Sequence, residues 1–337
     1  MRTAVLTLFL VAAAFGVVAF VVLQPSFSFQ AGGGQGAGDT AKRRAPSVVL
    51  MLFAGDIMLS RKIGGIMKEK GDYRFHFLKI ASTTLRADIS FANLESPLSS
   101  RGTKSGSAYS FRAEPMAVEG LTFAGFDVLS VANNHLFDYG EKALRDTLSI
   151  LSENDIAAIG AGETFQDAHA PRVMKVGRTR IAFLAYSNLS VPFLGRASSS
   201  PAIASFDDEI LRGDVARARE IADTVVVSLH WGEEYETKHN AGQTRVARLL
   251  VDAGANIVIG HHPHVVQEIE RYNGGLIAYS LGNFIFDQNF SEETGKGLVL
   301  LVTLSEGRVA DVTAQEVMFT RDYQPYFMEA KKAETAE

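Results

Sequence analysis

The run SVVLMLFAG (Ser47–Gly55), followed at once by Asp56, decides the fold. It is continuously apolar, rich in β-branched residues, and bounded by a Gly-Asp turn. Such a run reads as a strand buried on both faces. The same pattern recurs four times, each time after a stretch of helical character. LRADISFANLE ends in Asn93-Leu94-Glu95, AGFDVLSVANNH in Asn134-His135, IADTVVVSLHWG just beyond His230, and AGANIVIGHHPH in His261, His262 and His264. Amphipathic stretches such as Glu141–Glu153 and Gln243–Ala253 lie between. Alternating helix and buried strand predicts an α/β fold with a largely parallel sheet. Right-handed crossovers then bring successive strand ends to one edge.

Two hairpins make the sheets mixed. PRVMKVGRTRIAFLAYS turns at Gly177-Arg178 and VVQEIERYNGGLIAYS at Asn273-Gly274. Asn-Gly is a strong hairpin signal because both central residues need positive φ. The later strands are expected to form a second layer, and LVLLVTL and VADVTAQEVMF close the fold.

Composition narrows the class. Of 337 residues, 47% are apolar and 21% charged, enough for a sizeable core, so disorder is excluded as a global description. The absence of cysteine removes disulfides, thiolate zinc sites, cysteine nucleophiles and a lipoprotein anchor together. A net charge of -5 with interspersed signs carries no basic footprint, so nucleic acid is not an expected partner.

Residues 1–24 read as an anchor. Thr3–Leu23 is uncharged, and at about 1.5 Å per residue it spans about 30 Å, the hydrocarbon thickness. A cleavable signal core is usually only about 7–15 residues and ends at a small-x-small site. Arg2 favours an N-in orientation, whereas Lys42, Arg43 and Arg44 argue the other way from the edge of the range that counts. Charge alone leaves the orientation open. Residues 25–46, rich in Gly, Ser, Ala and Gln, read as a flexible linker. Periodic structure is expected over 47–323. Residues 324–337, ending in KKAETAE with no apolar face to bury, are expected to be a disordered tail.

The chemistry lies at the strand ends. Asp56, Glu95, Asn134, His230, His262 and His264 all fall at or just past an apolar strand, where open α/β sheets bind ligands. Each alone is weak: Gly-Asp and Asn-His are ordinary turns, Glu95 could cap, and His230 before Trp231 could be a core histidine. Together, carboxylates, an amide oxygen and imidazoles suit one or two divalent ions, with Mn, Fe or Zn favoured. Pro263 is expected to keep the segment around it extended. His262 and His264 would then face one side and His261 the other.

These residues sit in motifs that resemble a known family. GDIML (Gly55–Leu59), FANLESPL (Phe91–Leu98), ANNHLFDYG (Ala132–Gly140), HWGEEY (His230–Tyr235), GHHPHVVQ (Gly260–Gln267) and YSLGNFIFDQ (Tyr279–Gln288) occur in this order. They resemble the CapA family of capsule and poly-gamma-glutamate biosynthesis proteins, a branch of the calcineurin-like metallophosphoesterases, over about residues 48–320. The resemblance implies a four-layer αββα sandwich with a metal centre between the sheets. It further implies an inner-membrane, single-pass protein whose domain lies in the periplasmic or extracellular space. By the same resemblance Asp56 is the first metal carboxylate, and Glu95 stands where the wider superfamily has a bridging aspartate. Asn134 is the amide ligand, with His230, His262 and His264 as imidazole ligands. His135 protonates the leaving oxygen. Met58 departs from the pattern, since the wider superfamily has histidine there and a thioether is a poor ligand for a hard divalent ion. Asp138 either orients His135 or caps the helix that follows. Asn283 is expected to line the site, while Asp287 and Gln288 stay unassigned.

Two functional classes follow. One is a metal-dependent hydrolase acting on a phosphorylated substrate or an amide-linked glutamate polymer. The other is a non-catalytic accessory subunit that binds an anionic polymer beside the membrane subunits of a polymer synthase and retains the metal site.

Overall fold

The structure, a computed structural model, describes residues 48–105, 109–189, 200–328 and 331–332. The anchor Thr3–Leu23 and the linker lie outside the described residues. Among the described residues no helix is long and apolar enough to cross a membrane.

The run that opens the domain is the strand Val48–Ile57, and it is the axis of a nine-stranded mixed sheet. On one side it pairs in parallel with Ile89–Leu94, which continues to Val128–Ser130 and Ala157–Ile159. On the other side Lys296–Ser305 runs antiparallel to it, followed by Arg308–Phe319. The short strand Asn283–Ile285 pairs with its far end. A six-stranded sheet takes the strands in between. Thr179–Ser187, Thr224–His230, Ile257–His261 and Gly275–Ala278 are parallel, and both predicted hairpins form its edges. Asn273 (φ 45°) and Gly274 (φ 81°) both take the left-handed backbone that the two-residue turn demands.

Alternation along the six-stranded sheet divides its side chains. Phe183, Val226 and Ile259 point into the core shared with the nine-stranded sheet, and Phe183 stacks on Phe91 with centroids 6.2 Å apart. Leu184, Val227 and Val258 join Leu211 and Val215 of helix Asp208–Ile221 and Ala247 and Leu250 of helix Ala241–Ala253. Asn240 and Gln243 form a capping box that fixes where the second of these helices starts. The mixed α/β class predicted from the strand-helix alternation is the observed one.

Chain pairing runs past Tyr323, where the disordered tail was expected. Pro325–Phe327 and Lys331–Lys332 both pair with Arg308–Phe319. Pro325–Phe327 is the apolar part of the stretch expected to be tail, and residues 333–337 lie outside the described residues.

One irregularity aims the functional end of the first strand. Phe53 is opposite Phe91 but Asp56 is opposite Asn93, so three steps on one strand match two on the other. This bulge turns Asp56 toward the second sheet. It is held by Asp56 N–H donating to Gly282 O at 2.9 Å. A β-carbon on Gly55 would collide with that same Gly282 carbonyl. Gly55→Ala is therefore expected to destabilise the fold by about 1–3 kcal/mol, as overpacking does. Chemical denaturation followed by circular dichroism checks this; a midpoint equal to the parent's would show that the contact is not tight.

Candidate metal centre

The strand ends of both sheets meet at one buried cluster. The nine-stranded sheet delivers Asp56, at the end of its first strand, and Glu95, one residue past Leu94. The six-stranded sheet delivers His230 at a strand end, then His261, His262 and His264. Ligand-capable atoms of Asp56, Glu95 and His230 lie within 4.8 Å of one another, as do those of Glu234, His262 and His264. His264 Nδ1 lies 3.5 Å from Asp56 Oδ2, and the His230 and His262 rings are 4.9 Å apart, so the two groups form one centre.

Amides organise this cluster. Asn93 donates to Asp56 Oδ1 at 2.9 Å and reaches His230 Nδ1 at 3.3 Å. Asn133 donates to Asn93 Oδ1 and to Leu94 O. The Asn134 side-chain oxygen is 2.9 Å from His230 Nε2, and Asn283 Oδ1 is 3.1 Å from His264 Nδ1. Asp138 does not cap the following helix, whose N-cap Tyr139 has no side-chain cap. Instead its Oδ2 is 2.8 Å from His135 Nδ1 and accepts from Phe111 N at 2.7 Å. His135 is thus held in one ring orientation, with Phe111 stacked on it at 4.0 Å.

Burial and mutual charge set the protonation. Burial works to raise the Asp56 carboxyl, but hydrogen bonds and charge from His261 and His264 outweigh it and hold it well below the usual range. Burial pushes Glu95 well up, and the negative charges of Asp56, Glu234 and Asp138 add to this against the pull of His264. Burial depresses His230 strongly, and lowers His262 to about 3 with the charge of His264 adding to it. Burial also disfavours a charged His264, yet Glu95, Asp56 and Glu234 raise it to about 9.

The donor set fits a divalent ion. Both oxygens of Glu95 are buried without a hydrogen-bond partner among the described residues, and a buried carboxylate in that condition calls for a cation. Asp56, Glu95, His230, His262 and His264 combine oxygen and imidazole nitrogen, and Asn134 supplies an amide oxygen, the set that suits Mn, Fe or Zn. Met58, where the resemblance expects a histidine, is not turned to the centre as a donor. It is fully buried, and its sulfur accepts from Ser60 N and Oγ at 3.2 and 3.0 Å.

The geometry around Pro263 corrects the extended reading. His262 has φ 98° and His264 φ 58°, so the segment is not extended and alternation does not apply. His261 does not point away from the centre. It is the last residue of its strand, and its Nδ1 lies 3.0 Å from Asp56 Oδ1. Sequence reasoning also missed three residues. Asn93 was legible, since period-two alternation puts it on the face of Glu95. Glu234 lies inside the quoted HWGEEY motif. Phe111 carried no signal of its own.

The fold and centre define an α/β protein with a carboxylate-imidazole cluster at the carboxyl ends of two facing sets of strands. The profile described as "Bacterial capsule synthesis protein PGA_cap" matches residues 50–288, and the chain belongs to that family. It is 35% identical over 267 residues to "Capsule biosynthesis protein CapA" of Bacillus anthracis, covering 77% of this chain and 64% of that one. It is likewise 35% identical over 263 residues to "PGA biosynthesis protein CapA" of Bacillus subtilis (strain 168), covering 77% and 68%. The chain thus spans less than two thirds of the Bacillus anthracis relative. Among solved structures, a hypothetical protein from Thermus thermophilus is similar over 84% of this chain and 100% of its own, with TM-score 0.47 and 18% identity.

Two outcomes are expected. His261→Ala removes a neighbour of Asp56 rather than a first ligand, so it should weaken metal retention about 10–100-fold, as loss of a ligand-orienting partner does; metal titration of the variant checks this, and unchanged retention would contradict it. In chelator-treated protein His264 is charged in the folded state up to pH about 9, above its ordinary value of about 6.5. Its contribution to stability is therefore complete below pH about 6.5 and lost as pH rises toward about 9. Urea midpoints across that range should fall for the parent and stay flatter for His264→Gln.

Proposed function

We propose that this protein serves the biosynthesis or export of an anionic surface polymer of the poly-gamma-glutamate type, working beside the membrane subunits of a polymer synthase. In this reading Thr3–Leu23 anchors it in the inner membrane with the domain on the periplasmic or extracellular side. The domain is a four-layer αββα sandwich of the metallophosphoesterase type. Family membership and the names of the Bacillus relatives support the polymer role. The observation that carries the metal reading is Glu95, whose two buried oxygens have no protein donor.

Asp56, Glu95, Asn134, His230, His262 and His264 would hold one or two divalent ions, and Asn283 orients His264. Such an ion lowers the pKa of bound water and polarises an ester or amide oxygen. The chain supplies the proton chemistry. Asp138 accepts the Nδ1 proton of His135, which directs Nε2 toward the centre side and lets that nitrogen deliver a proton to a leaving oxygen or nitrogen. The Phe111 ring stacked on His135 covers one face of the imidazole.

A second reading, a non-catalytic polymer-binding subunit that retains the metal site, is favoured by Met58. Its sulfur, already bound by Ser60, leaves one ligand position of the superfamily pattern without an imidazole.

A strain lacking this gene should regain surface γ-linked glutamate polymer from the parental copy and not from Glu95→Gln, and protease added to spheroplasts should digest the domain. Full restoration by Glu95→Gln in protein that has lost its metal would remove the metal centre from the function. Turnover of an aryl phosphate with manganese separates the two readings: His135→Ala should cost about 10²–10⁴ in rate if the centre is catalytic, and absence of parental turnover favours the binding subunit.

A further inference from the structure

The motif residues Asp287 and Gln288 were left without a role, and the structure shows what they hold. Asp287 takes Nε of Arg61 at 3.1 Å and also pairs with its Nη2. Its carboxylate is 4% exposed, whereas the Arg61 side chain is 33% exposed. Gln288 donates to the hydroxyl of Tyr235 at 3.3 Å and accepts from Asn283. Tyr235 adjoins a residue of the centre, and Arg61 adjoins a ring that packs on one. The Tyr235 ring is 6.3 Å from that of His264, and the Arg61 guanidinium lies 5.0 Å over Phe111, the ring stacked on His135.

Arg61 is an odd choice for a purely structural ion pair. It opens the helix Arg61–Lys70 with φ 50°, a left-handed backbone that non-glycine side chains rarely adopt. Such strain persists where the surroundings over-determine it, and it gathers at functional sites. Its fork is also only half used. Nε and Nη2 face Asp287, while Nη1 has no hydrogen-bond partner among the described residues. Asp56, Asp138 and Glu234 contribute negative charge around the centre, so an acidic ligand entering there gains from a fixed guanidinium beside whatever ion the cluster holds.

We infer that Arg61 forms an anion subsite beside the metal centre, taking a carboxylate or phosphate oxygen pair of the substrate on the free edge of its guanidinium. Asp287 is the positioning residue that sets the plane of that fork. Arginine suits the task because its planar donors match both anions in a bidentate way. The inference rests on the reading of the cluster as the working site.

The test uses the full chain in detergent, with two probes: a fluorescein-labelled γ-linked glutamate oligomer and inorganic phosphate as competitor. Arg61→Gln should weaken oligomer binding at least about 10-fold, the scale of a charged hydrogen-bond pair, with metal content unchanged. The double variant with Asp287→Asn leaves no buried carboxylate unpaired, so it keeps the test meaningful if the single variant folds poorly. It should lose binding equally, and Arg61→Lys should recover only part. Oligomer binding that survives in both variants overturns the subsite while leaving the polymer role standing. Phosphate bound through Arg61 with no parental affinity for the oligomer supports the subsite and fails the polymer reading. Binding of neither probe to the parent overturns the subsite.

Discussion

Asp56 and Glu95 bury two carboxylates within a few ångströms of each other, and everything around them answers that repulsion. Removing an ion from water costs several kcal/mol unless partners compensate. Asp56 receives them: Asn93, the backbone N–H of His262, and the imidazoles of His261 and His264. Glu95 has no hydrogen-bond partner among the described residues, only His230 Nε2 at 3.9 Å and the charge of His264. The carboxylates come from one sheet and the imidazoles from the other, so the sheets must dock with their strand ends level. Phe91 stacked on Phe183 is part of the core that fixes that alignment.

Regular structure brings the side chains near, and irregular backbone aims them. The bulge before Asp56 turns one candidate ligand, and left-handed residues at His262 and His264 turn two more. Arg61 and Tyr235 are left-handed as well. Conformations that each cost of order 1–3 kcal/mol persist only where neighbours hold them. Here Gly282, Ser60, Asp287 and Gln288 do so through the hydrogen bonds that bind the motifs together.

The strands and both hairpins were legible because buried runs, Gly-Asp ends and Asn-Gly turns are local signals. The meeting of Asp56, Glu95, His230, His262 and His264 in one cluster was legible because each lies at or just past the end of such a run. What escaped was tertiary. The extended reading of His261–His264 failed because alternation holds only inside a strand, and His261 is where the strand stops. The role of Asp138 was left between two readings, since a cap and a hydrogen bond to His135 look alike in sequence. Arg61 had no periodic or compositional mark, and its partner Asp287 is far away in the chain.

The separation of the ligands along the chain has a kinetic meaning. His262 meets Asp56 across 206 residues and Asn93 meets His230 across 137. Closing loops of that length is entropically costly and is rewarded only when both sheets exist. The centre is therefore among the last parts of the molecule to assemble. A chain with only one of the two sheets in place holds only part of the candidate donor set.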